Sequence, residues 1–124
     1  MYEFELPMPP SINTYRACVR NRLITSKKGR EYFEAVKCRM DELNLSGERI
    51  DRQVSIHLTI HPRTKANFDV SNYLKAYEDA LVKCGFLEDD HWIDYVGIVK
   101  GEKVSGGKLC VKVWVSDEPA GNLV

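Results

Sequence analysis

Two stretches of apolar alternation limit what this chain can fold into. Val54, Ile56, Leu58 and Ile60 alternate with Ser55, His57, Thr59 and His61, and Leu109, Val111, Val113 and Val115 repeat the period. Successive side chains of a strand point to opposite faces, so each stretch reads as a strand with one face on a core. Tyr2 to Leu6 reads as a short strand stopped by Pro7, Pro9 and Pro10. Ile93 to Lys100 reads as another, with Ser105-Gly106-Gly107 turning the chain into the last strand. Two segments switch to helical spacing. Tyr32, Phe33, Val36, Met40 and Leu43 line one face of a helix capped near Ser26 and running to about Leu45, with Gly47 as a stop. A second helix runs roughly from Ser71 to Cys84 and is closed by Gly85, with Tyr73, Tyr77, Ala80, Leu81 and Cys84 on its core side. The order predicts an α+β fold, a small mixed β-sheet of about four strands with two helices packed on one face. The stretches from Pro7 to near Ser26 and from Pro62 to Phe68 read as loops, and Asp117 to Val124 as a loose tail.

A chain of 124 residues is long enough for one domain with an ordinary core. No apolar run approaches the length of a membrane span, and Met1-Tyr2-Glu3-Phe4-Glu5 lacks the basic and apolar regions of a signal peptide. The four cysteines, Cys18, Cys38, Cys84 and Cys110, are scattered without a Cys-x-x-Cys pair. A reduced, cytoplasmic chain with no membrane partner is therefore expected. Net charge is zero, which by itself argues against nucleic acid as a partner. Its distribution argues the other way. Between Leu6 and Arg30 there is no Asp or Glu, while Arg16, Arg20, Arg22, Lys27, Lys28 and Arg30 supply six positive charges. Such a segment can neutralise phosphates, although a solvated loop and helix start would look the same.

The chemistry-bearing residues concentrate in Asp69-Val70-Ser71-Asn72-Tyr73-Leu74-Lys75, followed by Asp79 and Asp89-Asp90. A helix of this length alone would hold its two ends roughly 20–25 Å apart. A shared site requires the loop from Gly85 to Asp90 to double back. Oxygen ligands would then meet beside one fixed cation, a combination suited to magnesium-assisted chemistry on a phosphodiester. Each piece also has a plainer reading. Lys75 and Asp79 can form an i,i+4 ion pair, and Ser71 or Asp69 can be an N-cap. Glu88-Asp89-Asp90 can be an exposed acidic turn. His57, His61 and His91 with a carboxylate could ligate zinc or manganese, although no third close ligand is apparent.

These residues resemble the RusA-type Holliday junction resolvases. Leu6-Pro7-Met8-Pro9-Pro10-Ser11-Ile12-Asn13-Thr14-Tyr15 is similar to that family's Leu-Pro-x-Pro-Pro-Ser-x-Asn-x-Tyr opening, and Gly29-Arg30-Glu31-Tyr32 continues it. Asp69-Val70-Ser71-Asn72, Lys75-Ala76, Asp79-Ala80-Leu81, Gly85-Phe86 and Asp89-Asp90 resemble its Asp-x-Asp-Asn-x-x-Lys, Asp-Ala-Leu, Gly-Phe and Asp-Asp series at the same spacing. The likeness runs from residue 6 to about residue 115, inside one domain expected over residues 1–116.

The resemblance implies a homodimer that binds four-way DNA junctions and nicks two opposed strands, using Mg2+ with Mn2+ as a possible substitute. It places metal-binding aspartates at Asp69, Ser71 and Asp90 and the essential lysine at Lys75. Asp69, Lys75 and Asp90 keep the family's residue type. Ser71 departs from it, because a hydroxyl is a neutral and weaker ligand than a carboxylate. Asp89 is then a candidate to assist the metal. Asn13, Arg16, Arg20 and Arg22 would grip backbone phosphates, and Asn72 would orient a ligand or contact phosphate. The departure at Ser71 leaves an alternative, a non-catalytic homologue that binds junctions through a weakened metal site. A small metal- or partner-binding domain unrelated to DNA is a third reading.

Overall fold

The computed structural model describes residues 1–116. The central strand is β4 (Val54–His61), which pairs in parallel with β5 (Ile93–Lys100) and antiparallel with β6 (Lys108–Val115). β1 (Tyr2–Leu6) adds to the far side of β6, giving the order β1-β6-β4-β5. The register puts Phe4, Val111, Leu58 and Ile98 in one row across all four strands. Their neighbours of the same parity, among them Leu6, Ile56, Ile60, Leu109 and Val113, are buried in the same core. Residues of opposite parity, such as Glu3, Lys112 and His57, share the other face.

Two helices cover the apolar face. α2 (Lys27–Glu42) begins at Ser26, whose hydroxyl accepts from the Gly29 N–H at 3.1 Å. Its buried positions, Gly29, Tyr32, Val36 and Met40, recur at helical spacing. The helix ends a little short of Leu45. Asn44 takes a left-handed conformation (φ 59°), and the Leu45 N–H returns to the Met40 carbonyl at 2.9 Å. α3 (Leu74–Lys83) buries Ala76, Tyr77, Ala80 and Leu81.

Three features differ from the sequence-based expectation. The second helix was expected from Ser71, but Val70–Tyr73 forms a 3₁₀ turn and the α-helix starts at Leu74. The basic segment is not a plain loop. It holds a single helical turn, α1 (Ile12–Tyr15), and a hairpin of β2 (Arg16–Val19) and β3 (Arg22–Thr25). Among the described residues the fold therefore has four sheet strands, a separate two-stranded ribbon and three helices, rather than four strands and two helices. The hairpin turn consists of Arg20 (φ 52°) and Asn21 (φ 63°), both left-handed without glycine, so the usual turn signal is missing. The tail expected after residue 116 lies outside the described residues. Among the described residues no helix is long and apolar enough to cross a membrane, and all four cysteines are free thiols.

The exit from α3 decides where the acidic turn sits. Gly85 is left-handed (φ 87°) and lies so near the Ser46 carbonyl that a Cβ there would come within 2.4 Å of its oxygen. Phe86 and Leu87 are then fully buried. The backbone of this stretch bonds to residues 49 and 50: Arg49 N–H to Gly85 O, Ile50 N–H to Phe86 O, and Glu88 N–H to Ile50 O, at 2.9–3.0 Å. That clamp turns the chain back before it enters β5.

Candidate active site

Because the segment after α3 doubles back, Asp90 meets the first turn of α3. The Lys75 Nζ lies 3.6 Å from Asp90 Oδ2 and 3.1 Å from Asp79 Oδ1. The i,i+4 pair of Lys75 with Asp79 is thus real, and it is half of a larger network. The other Asp79 oxygen, Oδ2, accepts a hydrogen bond from the Tyr15 hydroxyl. The hydrogen bond to Asp79 pushes the Lys75 ammonium above the ordinary lysine range, with the charge of Asp90 adding to it. Lys75 is therefore a fixed cation at neutral pH, unsuited to act as a base and suited to face developing negative charge. Glu78 borders the same cluster. Burial raises its carboxyl above the usual range, Lys75 lowers it, and the nearby Asp90 and Asp79 charges raise it further.

The remaining sequence candidates fall into three groups. Asp69 is exposed at the entry to the 3₁₀ turn, where its carbonyl, not its side chain, accepts from Asn72 N–H at 3.1 Å. Ser71 is exposed within that turn. Asp89 has both oxygens engaged locally: Oδ1 accepts from the Asp90 N–H at 2.7 Å, and Oδ2 is 2.9 Å from His91 Nδ1. Its carboxyl is held below the usual range, chiefly by His91. Asn13 is exposed on α1, Arg16 lies with its guanidinium 5.5 Å from the centre of the Tyr15 ring, and Arg20 and Arg22 are exposed at the hairpin tip. Among the described residues no group of three or more His, Cys, Asp or Glu side chains is arranged to hold a metal ion. His61 instead has Nδ1 2.9 Å from the Glu102 carbonyl.

An open groove of about 620 Å³ is lined by Pro9, Lys28, Glu31, Arg63, Phe68 and Tyr73 among others, and so reaches the chain neighbours of Asp69 and Leu74. Phe68 meets Tyr73 edge to face at 5.6 Å, and Lys100 Nζ lies 4.9 Å from the centre of the Phe68 ring. Neither Tyr15 nor Glu78 stands out in the sequence as a site residue. Tyr15 and Asp79 did stand inside the quoted motifs, and that position was the one available signal.

A family model described as endodeoxyribonuclease RusA matches residues 7–115. The chain is 34% identical over 112 residues to the crossover junction endodeoxyribonuclease rusA of Enterobacteria phage HK97, covering 90% of this chain and 92% of that protein. It is also 34% identical over 109 residues to the enzymes of that name from Enterobacteria phage 82 and Escherichia coli strain K12, covering 87% of this chain and 89% of each relative. With the motif order, the doubled-back acidic turn and a match over nearly all the described residues, this chain belongs to the RusA endodeoxyribonuclease family.

Proposed function

We propose that this protein is a magnesium-dependent, structure-specific endodeoxyribonuclease that resolves four-way DNA junctions in recombination and repair, in the cytoplasm of a bacterium or a phage-infected cell. The observation that carries this reading is the meeting of Lys75 with Asp90, which puts a fixed cation against a carboxylate in a chain of a nuclease family. The donors on offer suit magnesium. Asp69, Ser71 and Asp90 present only oxygen, and magnesium is commonly held by one or two carboxylates while it keeps several waters. Bound there, the ion would supply an activated water and offset charge on the scissile phosphate. Asp89 is a weaker candidate, since its oxygens already serve the Asp90 N–H and His91.

The protein's own groups do the rest. Lys75 stabilises negative charge that develops on the phosphoryl oxygens. Asn13, Arg16, Arg20, Arg22 and Asn72 hold backbone phosphates and set the register of the DNA without reading its bases. The neighbouring groove offers Lys28 and Arg63 for phosphates beside the aromatic surfaces of Phe68 and Tyr73. A homodimer would present two equivalent sites to a nearly two-fold substrate.

Ser71 favours one rival reading, a junction-binding homologue that cuts poorly or not at all. Incubation of the protein with a synthetic mobile four-way junction, with and without Mg2+, separates the two. Magnesium-dependent nicking is expected, and Ser71→Asp should lower the metal concentration needed for half-maximal cutting. Tight binding with no nicking at any Mg2+ or Mn2+ concentration would establish the rival.

A further inference from the structure

Asp79 uses its two oxygens for two different partners. Oδ1 holds the Lys75 ammonium at 3.1 Å, and Oδ2 takes the Tyr15 hydroxyl. A carboxylate with one partner can turn about its terminal torsion, whereas one gripped at both oxygens cannot. The position of Lys75 beside Asp90 therefore depends on a residue 64 positions away from Asp79 in the sequence.

Tyr15 is itself rigidly seated. It is 2% exposed, and its ring meets Phe33 of α2 edge to face at 5.8 Å. Its N–H donates to Ser11 O at 2.8 Å, and its carbonyl accepts from Ser26 N–H at 2.9 Å. Gly29 packs so closely that a Cβ there would come within 2.8 Å of the Tyr15 carbonyl oxygen and 2.9 Å of its ring. The next residue, Arg16, starts the basic hairpin and lies over the same ring. One side chain thus joins the base of the hairpin, the start of α2 and the polar face of α3.

We infer that Tyr15 and Asp79 are positioning residues for the nuclease reaction, a fixed pair that aims Lys75 and ties its placement to the base of the DNA-gripping hairpin. The inference rests on the proposed nuclease activity for its meaning, but not for its geometry. An interior tyrosine bonded to aspartate could merely anchor two helices. Occupation of the second oxygen by the lysine sets this pair apart, because loss of the hydroxyl then frees a charged group at the site and not just a packing contact.

Tyr15→Phe keeps the ring and removes only the hydroxyl, and Asp79→Asn keeps the shape and removes the charge. Two readouts are needed. The first is ¹³C relaxation of the Lys75 side-chain methylenes, which does not depend on cleavage; both variants should show a more mobile Lys75. The second is the single-turnover cleavage rate set against junction affinity. Tyr15→Phe should cut about tenfold more slowly with affinity within about twofold of wild type, and Lys75→Ala should lose more. The double variant should cut no more slowly than Asp79→Asn alone, because both changes break one linkage. Unchanged Lys75 mobility in both variants would overturn the inference, as would additive losses that track thermal stability. If wild type and Lys75→Ala alike fail to cut, the nuclease reading falls, and the relaxation measurement still decides whether the pair fixes Lys75.

Discussion

Glu78 shows how the site taxes the fold at the level of a single side chain. Burial and the Asp90 and Asp79 charges raise its carboxyl above the usual range, only partly opposed by Lys75. A carboxyl with a raised folded-state pKa binds its proton more tightly in the native protein. Its contribution is most favourable below the unfolded pKa and is lost as pH rises through the folded one. Glu78→Gln should therefore raise the melting temperature at neutral pH, and the gain should shrink towards zero near pH 4. Melts at the two pH values check this, and an equal gain at both would contradict it. At this scale the sequence was partly legible. Lys75, Asp79 and Asp90, which the fold brings together, stood out because charged residues at fixed spacing make a pattern along the chain. Tyr15 and Asp79 could not be paired, because nothing in a one-dimensional pattern links a tyrosine in a proline-rich stretch to an aspartate on a distant helix.

Among the elements, the exit from α3 and the basic hairpin carry the placement of the site. Gly85→Ala would combine a left-handed φ with a Cβ 2.4 Å from the Ser46 carbonyl oxygen, so the backbone would have to shift. Urea unfolding should show a loss of about 1–3 kcal/mol or more. A loss below about 0.5 kcal/mol would show that the 46–49 segment yields freely. The hairpin is the counterpart on the side proposed to meet DNA. Arg20→Ala with Arg22→Ala removes two exposed cations at its tip. Junction affinity should fall for every DNA sequence tested, and the slope of log affinity against log salt should drop by about two. An unchanged slope would place the phosphate contacts elsewhere. β4, β6 and α2 were readable because their apolar periods of 2 and 3.6 run for seven residues or more. The hairpin was not. Its strands have four residues each, its Val19, Leu23 and Ile24 remain exposed, and no core imprints a period on them. The start of α3 slipped for a related reason, since residues of the 3₁₀ turn and of an α-helix have similar local composition.

For the whole molecule, alternation identified the half-buried strands but not their neighbours. That β4 lies between β5 and β6, parallel to one and antiparallel to the other, depends on long-range pairing that no local pattern encodes. The consequence for function is direct. The parallel partner β5 starts just after Asp90, so the pairing of β5 with β4 fixes where the acidic turn ends. Strand placement and site geometry are one problem. The central claim, that this assembled site resolves junctions, is tested most directly by mapping nicks on each of the four strands of a synthetic mobile junction. Magnesium should produce paired nicks on two opposed strands at positions related by the junction's two-fold axis, giving duplexes that ligase can seal. Asp90→Asn should bind the same junction with near-native affinity and cut none of the strands. Unpaired nicks scattered over all four strands, or wild-type cutting by Asp90→Asn, would contradict the account.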